Sequence, residues 1–214
     1  MKETIMAIAA HNDDHIIGAG GALAKYAKQG KRVRTIILSF GEKSHPYLKK
    51  EVIIEKRVKE SLRADKLIGG AGIAYLGIRE GKFEEDFKKK RIAQKLAQII
   101  KQEKPKKIFT HGIDDLHPDH RATHKLIMKL IEKNKIKCPV YSFDVWSLFK
   151  LRQRNLPKLV VDISDTFNIK IKAFLKHQSQ TVTIWAMLWK IIAKDLFSGI
   201  INGHTYAEVF YKIK

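Results

Sequence analysis

The chain has 214 residues, and its 42 Lys and Arg against 22 Asp and Glu give a formal net charge of +20. Apolar residues make up 44% of the chain and charged residues 30%, which excludes a disordered chain and predicts a folded protein with a sizeable core. The single cysteine, Cys138, excludes an internal disulfide and any zinc module that needs two thiolates. Any metal must therefore bind to histidine and carboxylate side chains.

The lysines are spread along nearly every segment, so we interpret the charge as a solvated basic surface, with no specific nucleic-acid partner. Such a surface still favours anionic partners such as phosphates or acidic lipid headgroups. The first apolar run, residues 4–10, is short and leads straight into the charged string HNDDH, unlike a secretory signal. We therefore expect a cytoplasmic protein.

Short apolar runs alternate with helical patterns along the chain. The runs predict strands at 4–10, 33–40, 74–78, 107–111, 140–143, 158–164 and 207–213. Apolar spacing predicts helices at 18–29, 47–68, 166–176 and 184–197, with two more from Ile92 to before Pro105 and from Pro118 onward. This alternation predicts an α/β fold with a Rossmann-like, doubly wound, mostly parallel sheet, in a single domain over residues 1–214.

Two clusters of metal-binding side chains follow predicted strands. His11-Asn12-Asp13-Asp14-His15 comes directly after the first strand, and His117-Pro118-Asp119-His120 lies in the loop after the fourth. Ligands of open α/β sheets collect beyond the carboxyl ends of the strands. Two imidazoles and a carboxylate are a common catalytic zinc set, and His11, Asp14 and His120 can supply it. Either cluster alone is explained as a helix cap, but two at one sheet edge favour a site.

The segments AIAAHNDDHIIGAGG and DDLHPDHRAT resemble the two signature motifs of the LmbE-like, or PIG-L, family of zinc-dependent de-N-acetylases. In that family the first motif reads A-H-P-D-D-E and the second H-P-D-H. The second motif is intact, whereas the first has Asn12 for proline and His15 for glutamate. Weaker matches are found at Arg57 and Glu60 and in the segments HQSQ (177–180) and YAEVF (206–210).

The resemblance implies a role for each matching residue. It makes His11, Asp14 and His120 the ligands of Zn²⁺ and Asp13 the general base. A protonated His117 then stabilises the oxyanion or protonates the leaving amine, and Asp119 orients a histidine.

The reaction that the resemblance implies is removal of the acetyl group from an N-acetylglucosamine-type sugar, with release of acetate and a free amine. Two alternatives stay open. The same zinc site could hydrolyse a non-sugar acylamide, or the fold could be an inactive protein that binds nucleic acid or a membrane surface, as the net charge of +20 suggests.

Other features have simpler explanations. The glycines of GAGG (18–21) lack the G-x-G-x-x-G spacing and indicate close helix packing. His124 lies four residues after His120, but the zincin glutamate is missing, so we do not expect it to be a ligand. Arg79-Glu80-Gly81 is either a plain turn or a substrate contact.

The segment 184–201 contains an apolar helix face with Trp185, Leu188, Trp189, Ile192 and Leu196. Its charged residues argue against a transmembrane span. Burial in the core, a subunit interface and contact with a membrane surface all remain open, and a subunit interface in a homo-oligomer is narrowly favoured.

Overall fold

Seven strands form one sheet in this computed structural model, which describes residues 2–44, 47, 49–147 and 155–214. The strands are β1 (Thr4–Ala9), β2 (Arg32–Ser39), β3 (Ile73–Ile78), β4 (Lys107–His111), β5 (Val140–Phe143), β6 (Lys158–Asp162) and β7 (Ala207–Lys212). Their order across the sheet is β3-β2-β1-β4-β5-β7-β6. The first five run parallel, and β7 pairs antiparallel with both β5 and β6.

Seven α-helices connect and cover the strands in the described part of the chain. They are α1 (Asp14–Lys28), α2 (Lys50–Leu67), α3 (Phe83–Lys89), α4 (Ile92–Glu103), α5 (Pro118–Glu132), α6 (Phe167–Phe174) and α7 (Thr181–Ile201). A short 3₁₀ turn at Gln178–Gln180 precedes α7. The expected mostly parallel α/β sheet is therefore confirmed, with an antiparallel edge.

Both faces of the sheet are covered, as alternate residues of β1 show. Ile5 and Ala7 point into the core that contains α1 and α6, while Met6 and Ile8 point into the core that contains α4 and α5. A strand buried on both faces reads as a continuous apolar run, which is why β1 was recognisable in the sequence. None of the helices in the described part of the chain is long and apolar enough to span a bilayer.

The glycines of α1 allow close packing, as the sequence predicted. A Cβ on Gly18 would lie 2.2 Å from Cδ2 of Phe143, and one on Gly21 would lie 2.7 Å from Cδ1 of Ile163. Because real Cβ atoms do not approach so closely, these positions require glycine. They hold the start of α1, and with it the first histidine-aspartate cluster, against the sheet.

Three helices differ clearly from the prediction. α7 spans Thr181–Ile201 and not 184–197. α1 begins at Asp14 and not at 18, because the polar pair Asp14-His15 obscures the apolar spacing at its start. α3 was not predicted at all, since its seven residues are too few to show a period. Its buried Asp86 accepts hydrogen bonds from the backbone N–H and guanidinium of Arg79, a contact with the end of β3.

Candidate metal and active site

The site lies where the chain changes direction across the sheet. From β1 the chain passes to β2 and β3 on one side, and it then crosses to β4 on the other. The carboxyl ends of β1 and β4 therefore flank a switch point, where ligands of doubly wound sheets collect. The loop after β1 carries His11, and the loop after β4 leads to His120 at the start of α5.

Three predicted ligand side chains converge here. Nδ1 of His11 lies 3.3 Å from Nε2 of His120 and 3.3 Å from Oδ2 of Asp14, and Nε2 of His120 lies 3.2 Å from Oδ1 of Asp14. Ligands bound tetrahedrally at about 2.0–2.1 Å from Zn²⁺ are separated by about 3.3 Å. The two imidazole nitrogens face each other, and each faces one oxygen of the Asp14 carboxylate, so the spacing of these groups is compatible with a zinc ion.

Each of the two histidines also faces a second carboxylate. Nε2 of His11 lies 3.2 Å from Oδ2 of Asp119, and Nδ1 of His120 lies 3.0 Å from Oδ1 of Asp115. A carboxylate behind the imidazole fixes the ring and increases its basicity in metal sites. The contact of Asp119 with His11 is in line with the orienting role expected from the sequence. The contact of Asp115 with His120 was not predicted. Asp115 lies two residues before His117, and that spacing does not mark it as a residue of the site.

The carboxylates also raise the pKa values of both histidines. Burial lowers the pKa of His11, but Asp119 and Asp14 outweigh it and raise the pKa to about 10. Burial also lowers the pKa of His120, but Asp14 and Asp115 outweigh it and raise the pKa to about 9. The surroundings therefore favour positive charge at this point, which a bound dication supplies in place of protons.

His111 lies beside these residues without matching the ligand set. Its Nε2 is 3.3 Å from Oδ2 of Asp14, and Asp14, His111 and His120 form a group compact enough to hold an ion. However, Nε2 of His111 accepts the backbone N–H of Ala10 at 3.0 Å, so its lone pair is already used. His124 donates to or accepts from none of the three proposed ligands; its Nδ1 contacts the backbone oxygen of His111 at 3.0 Å.

Asp13 sits beside the cluster and is not part of it. It precedes the first turn of α1, is buried, and has Oδ1 3.5 Å from Nη2 of the buried Arg57. Arg57 is itself held by its hydrogen bond to the backbone oxygen of Gly41. A cleft of about 240 Å³ exposes Asp13 together with His11, Asp14, His117 and Glu80. Asp13 therefore presents a carboxylate, paired with Arg57, at the wall of the cleft.

His117 caps α5, and its contact with the helix favours one tautomer of the ring. Its Nδ1 accepts the backbone N–H of Asp119 at 3.2 Å, so a neutral ring carries its proton on Nε2. Burial, together with the charges of His11 and His120, lowers the pKa of His117. These surroundings favour the neutral ring, with Nε2–H as its donor. The protonated His117 expected from the sequence stays a prediction.

The turn at Arg79-Glu80-Gly81 contacts Asp119 and borders the cleft. The backbone N–H of Gly81 donates to Oδ2 of Asp119 at 3.0 Å, and Gly81 has a φ of 72°, which favours glycine. Glu80 lines the cleft. The turn therefore holds a residue behind the metal cluster and also borders the space for a ligand.

Comparison with known proteins identifies the fold and the motifs together. The sequence model of the family described as GlcNAc-PI de-N-acetylase, PIG-L, matches residues 6–131, a range that contains both clusters. The chain belongs to the PIG-L family.

Relatives of this PIG-L family chain include more than one enzyme type. It is 28% identical over 196 residues to a probable N-acetyl-alpha-D-glucosaminyl L-malate deacetylase 2 from Bacillus cereus, with 85% of each chain covered. It is 27% identical over 141 residues to 4-oxalmesaconate hydratase from Pseudomonas putida, covering 63% of this chain and 52% of the hydratase. Among solved structures, N,N'-diacetylchitobiose deacetylase from Pyrococcus horikoshii aligns with a TM-score of 0.81 at 21% identity, over 99% of this chain and 84% of that one, which shows the shared fold.

The two unusual residues of the first motif in this PIG-L family chain lie outside the proposed ligand set. Asn12 donates from its side-chain amide to the backbone oxygen of Phe40 at 2.7 Å, which ties the loop after β1 to the end of β2. His15 is fully buried in α1, and burial lowers its pKa to about 3. Within the described residues, His15 belongs to no group that could hold a metal.

Proposed function

We propose that the protein is a zinc-dependent de-N-acetylase that converts an N-acetylglucosamine-type sugar to acetate and a free amino sugar. The observation that carries this proposal is the spacing of 3.2–3.3 Å among the ligand atoms of His11, Asp14 and His120. Further support comes from the carboxylates behind both imidazoles and from the position of Asp13 at the cleft wall.

The substrate class is supported by what the relatives' names share. The family description, the Bacillus cereus relative and the Pyrococcus horikoshii structure each name an N-acetylglucosamine-type compound: GlcNAc-PI, an N-acetylglucosaminyl malate and diacetylchitobiose. The three differ in what is attached to the sugar. The proposal therefore names the N-acetyl sugar and leaves the attached group to experiment.

The residues divide the chemistry among themselves. Zn²⁺ held by His11, Asp14 and His120 would supply a Lewis acid for the amide carbonyl and a hydroxide source near neutral pH. Asp13 takes the proton of the attacking water, and Nε2–H of His117 donates to the carbonyl oxygen as it becomes negative. When the C–N bond breaks, Asp13 returns the proton to the amine nitrogen, so that one water and one amide give acetate and an amine.

The proposal is tested by measuring bound metal and acetate release together. The zinc-loaded protein is assayed on N-acetylglucosamine, N,N'-diacetylchitobiose and an N-acetylglucosaminyl inositol, with a non-sugar N-acetyl amine as a comparison. We expect equal amounts of acetate and free amine from at least one sugar. Acetate release from the non-sugar amide alone would show that the substrate is not a sugar. Hydration of an enoic acid without any amide hydrolysis would contradict the proposal.

The ligand assignment is tested by replacement. His11→Ala and His120→Ala should each lose the metal and acetate release while keeping the fold, because three ligands hold a zinc ion poorly when one is removed. His124→Ala is the matched control, one turn further along α5, and should keep its metal. Full metal content in both ligand variants would remove the assignment.

A further inference from the structure

The outward face of α7 is apolar along its whole length. Every exposed residue from Val182 to Ile201 is apolar, and Trp185 and Trp189 are 74% and 63% exposed. The remaining exposed residues are Val182, Ala186, Ile192, Ala193, Leu196, Phe197, Ile200 and Ile201. The structure thus rules out burial of both tryptophans within this chain's core.

The charged side chains of α7 point the other way. Lys190 donates to the backbone oxygen of Val145 at 2.9 Å, and Lys194 contacts that of Asp144 at 3.3 Å. Asp195 is buried and lies 2.6 Å from Nζ of Lys170. The helix is therefore amphipathic, but its charged residues face the protein and its apolar face points outward, the opposite of an ordinary surface helix.

The patch is too large to be left in water. The two tryptophans alone expose on the order of 300 Å². The other side chains extend the patch beyond the largest patches of typical monomers, about 300–600 Å², and such patches mark interaction sites.

We propose that this face docks α7 flat onto a bilayer that contains anionic phospholipids. The chain carries a net charge of +20, so an anionic surface attracts it, whereas a second copy with the same charge is repelled. The exposed Lys176 precedes α7 in the chain. Charge complementarity therefore selects the membrane over the subunit interface that the sequence alone favoured.

The chemistry of the face agrees with this occupant. Protein interfaces form about one hydrogen bond per 100–200 Å², yet the indole N–H groups are almost the only donors on this face. Tryptophan is enriched where a protein meets the membrane surface, because its apolar ring carries one polar N–H. Since Gln180 and Thr183 line the cleft, a docked α7 holds the mouth of the cleft beside the bilayer.

The test is flotation of the full chain with vesicles of phosphatidylcholine alone or with phosphatidylglycerol added. We expect binding to the anionic vesicles and at least a roughly 100-fold loss in Trp185→Glu/Trp189→Glu, because two large apolar side chains no longer insert. Val52→Glu/Leu62→Glu is the matched control, since it places the same two charges at exposed apolar positions of α2. It should bind within a few-fold of the original chain.

Three results would overturn the proposal: no binding to anionic vesicles, equal loss in both variants, or binding that is fully abolished by salt in the original chain. A dimer that becomes a monomer in Trp185→Glu/Trp189→Glu by light scattering would assign the face to a second copy. Acetate release from a free sugar is measured in the same samples. Because docking does not depend on the chemistry of the cleft, lost vesicle binding with normal acetate release counts against docking alone. Vesicle binding by the original zinc-loaded chain, without acetate release from any of the sugars, counts against the proposed function alone.

Discussion

The cleft cluster, formed by His11, Asp14 and His120, and the helix cluster, formed by Lys170, Asp195 and Glu208, are both buried. In the helix cluster, Nζ of Lys170 lies 2.6 Å from Oδ2 of Asp195 and 2.7 Å from Oε1 of Glu208, so opposite charges face each other. In the cleft cluster, two imidazole nitrogens face each other at 3.3 Å. The helix cluster pairs opposite charges with each other, whereas the cleft cluster brings together side chains that bind metal ions.

The two clusters should therefore differ in what they affect, the helix cluster in stability and the cleft cluster in metal binding and catalysis. The helix cluster joins α6, α7 and β7, and Glu208 also accepts the backbone N–H groups of Gly21 and Ala22 in α1. Its loss should weaken the fold. The cleft cluster lies on the loop after β1 and on the first turns of α1 and α5, where His11 and Asp14 border the cleft, so its loss should affect metal binding and catalysis more than folding.

The largest expected effect is on catalysis, from a residue beside the cleft cluster. Asp13→Asn should keep the metal and lower kcat by about 10²–10⁴-fold, the range for general acid–base catalysis. Asp14→Asn should lose the metal instead, because it removes a ligand charge. Steady-state acetate release and metal content distinguish the two, and normal turnover by zinc-loaded Asp13→Asn would require another base.

The helix cluster should dominate stability. Lys170→Met leaves Asp195 and Glu208 buried without their cation, which should lower the free energy of unfolding by about 3–5 kcal/mol. Lys172→Met is the matched control on the exposed side of α6 and should change it by less than about 0.5 kcal/mol. Urea denaturation measures both, and equal midpoints would show that the helix cluster contributes little.

Outer carboxylates of the cleft cluster should have a smaller effect. Asp119→Asn and Asp115→Asn each keep the shape of the side chain and remove the charge behind an imidazole. Each should weaken metal affinity by about 10–100-fold. Competition with a chelator measures this change, and the exposed Asp165→Asn is the control. Unchanged affinity in both variants would mean that these carboxylates only position backbone groups.

The last expected effect is the pH dependence of the helix cluster. Burial and the charge of Glu208 outweigh Lys170 and raise the pKa of Asp195 to about 6. As pH rises from about 4 to about 6, the unfolded chain loses this proton first, so the cluster's contribution to stability falls. Each unit of this shift is worth about 1.4 kcal/mol. Asp195→Asn cannot ionise, so the difference in unfolding free energy between it and the original chain should change over this pH window and stay constant above it.

Local pattern was sufficient for much of the fold. β4 and β5 have the predicted bounds, because a buried strand between polar turns is visible as a short apolar run. The insertion of β7 between β5 and β6 was not predictable in this way. That pairing joins residues far apart in the chain, and neither strand carries a local signal for its neighbour.

The candidate site shows the same division. Residue types and the two motifs indicated His11, Asp14 and His120, because metal ligands have few alternatives in a chain with one cysteine. The sequence did not show that Asp115 backs His120, or that His117 accepts a backbone N–H. Those facts depend on how α5 begins and on which way each ring is turned.

The sequence by itself determined the α/β class, the positions of the strands and the chemical character of the site, since apolar periodicity and ligand types are local properties. Only the tertiary structure decided which faces meet. In α7, apolar residues surround three charged ones, so periodicity alone could not say which side is buried. The partners of Lys190, Lys194 and Asp195 lie on other segments, and their contacts turn the tryptophans outward.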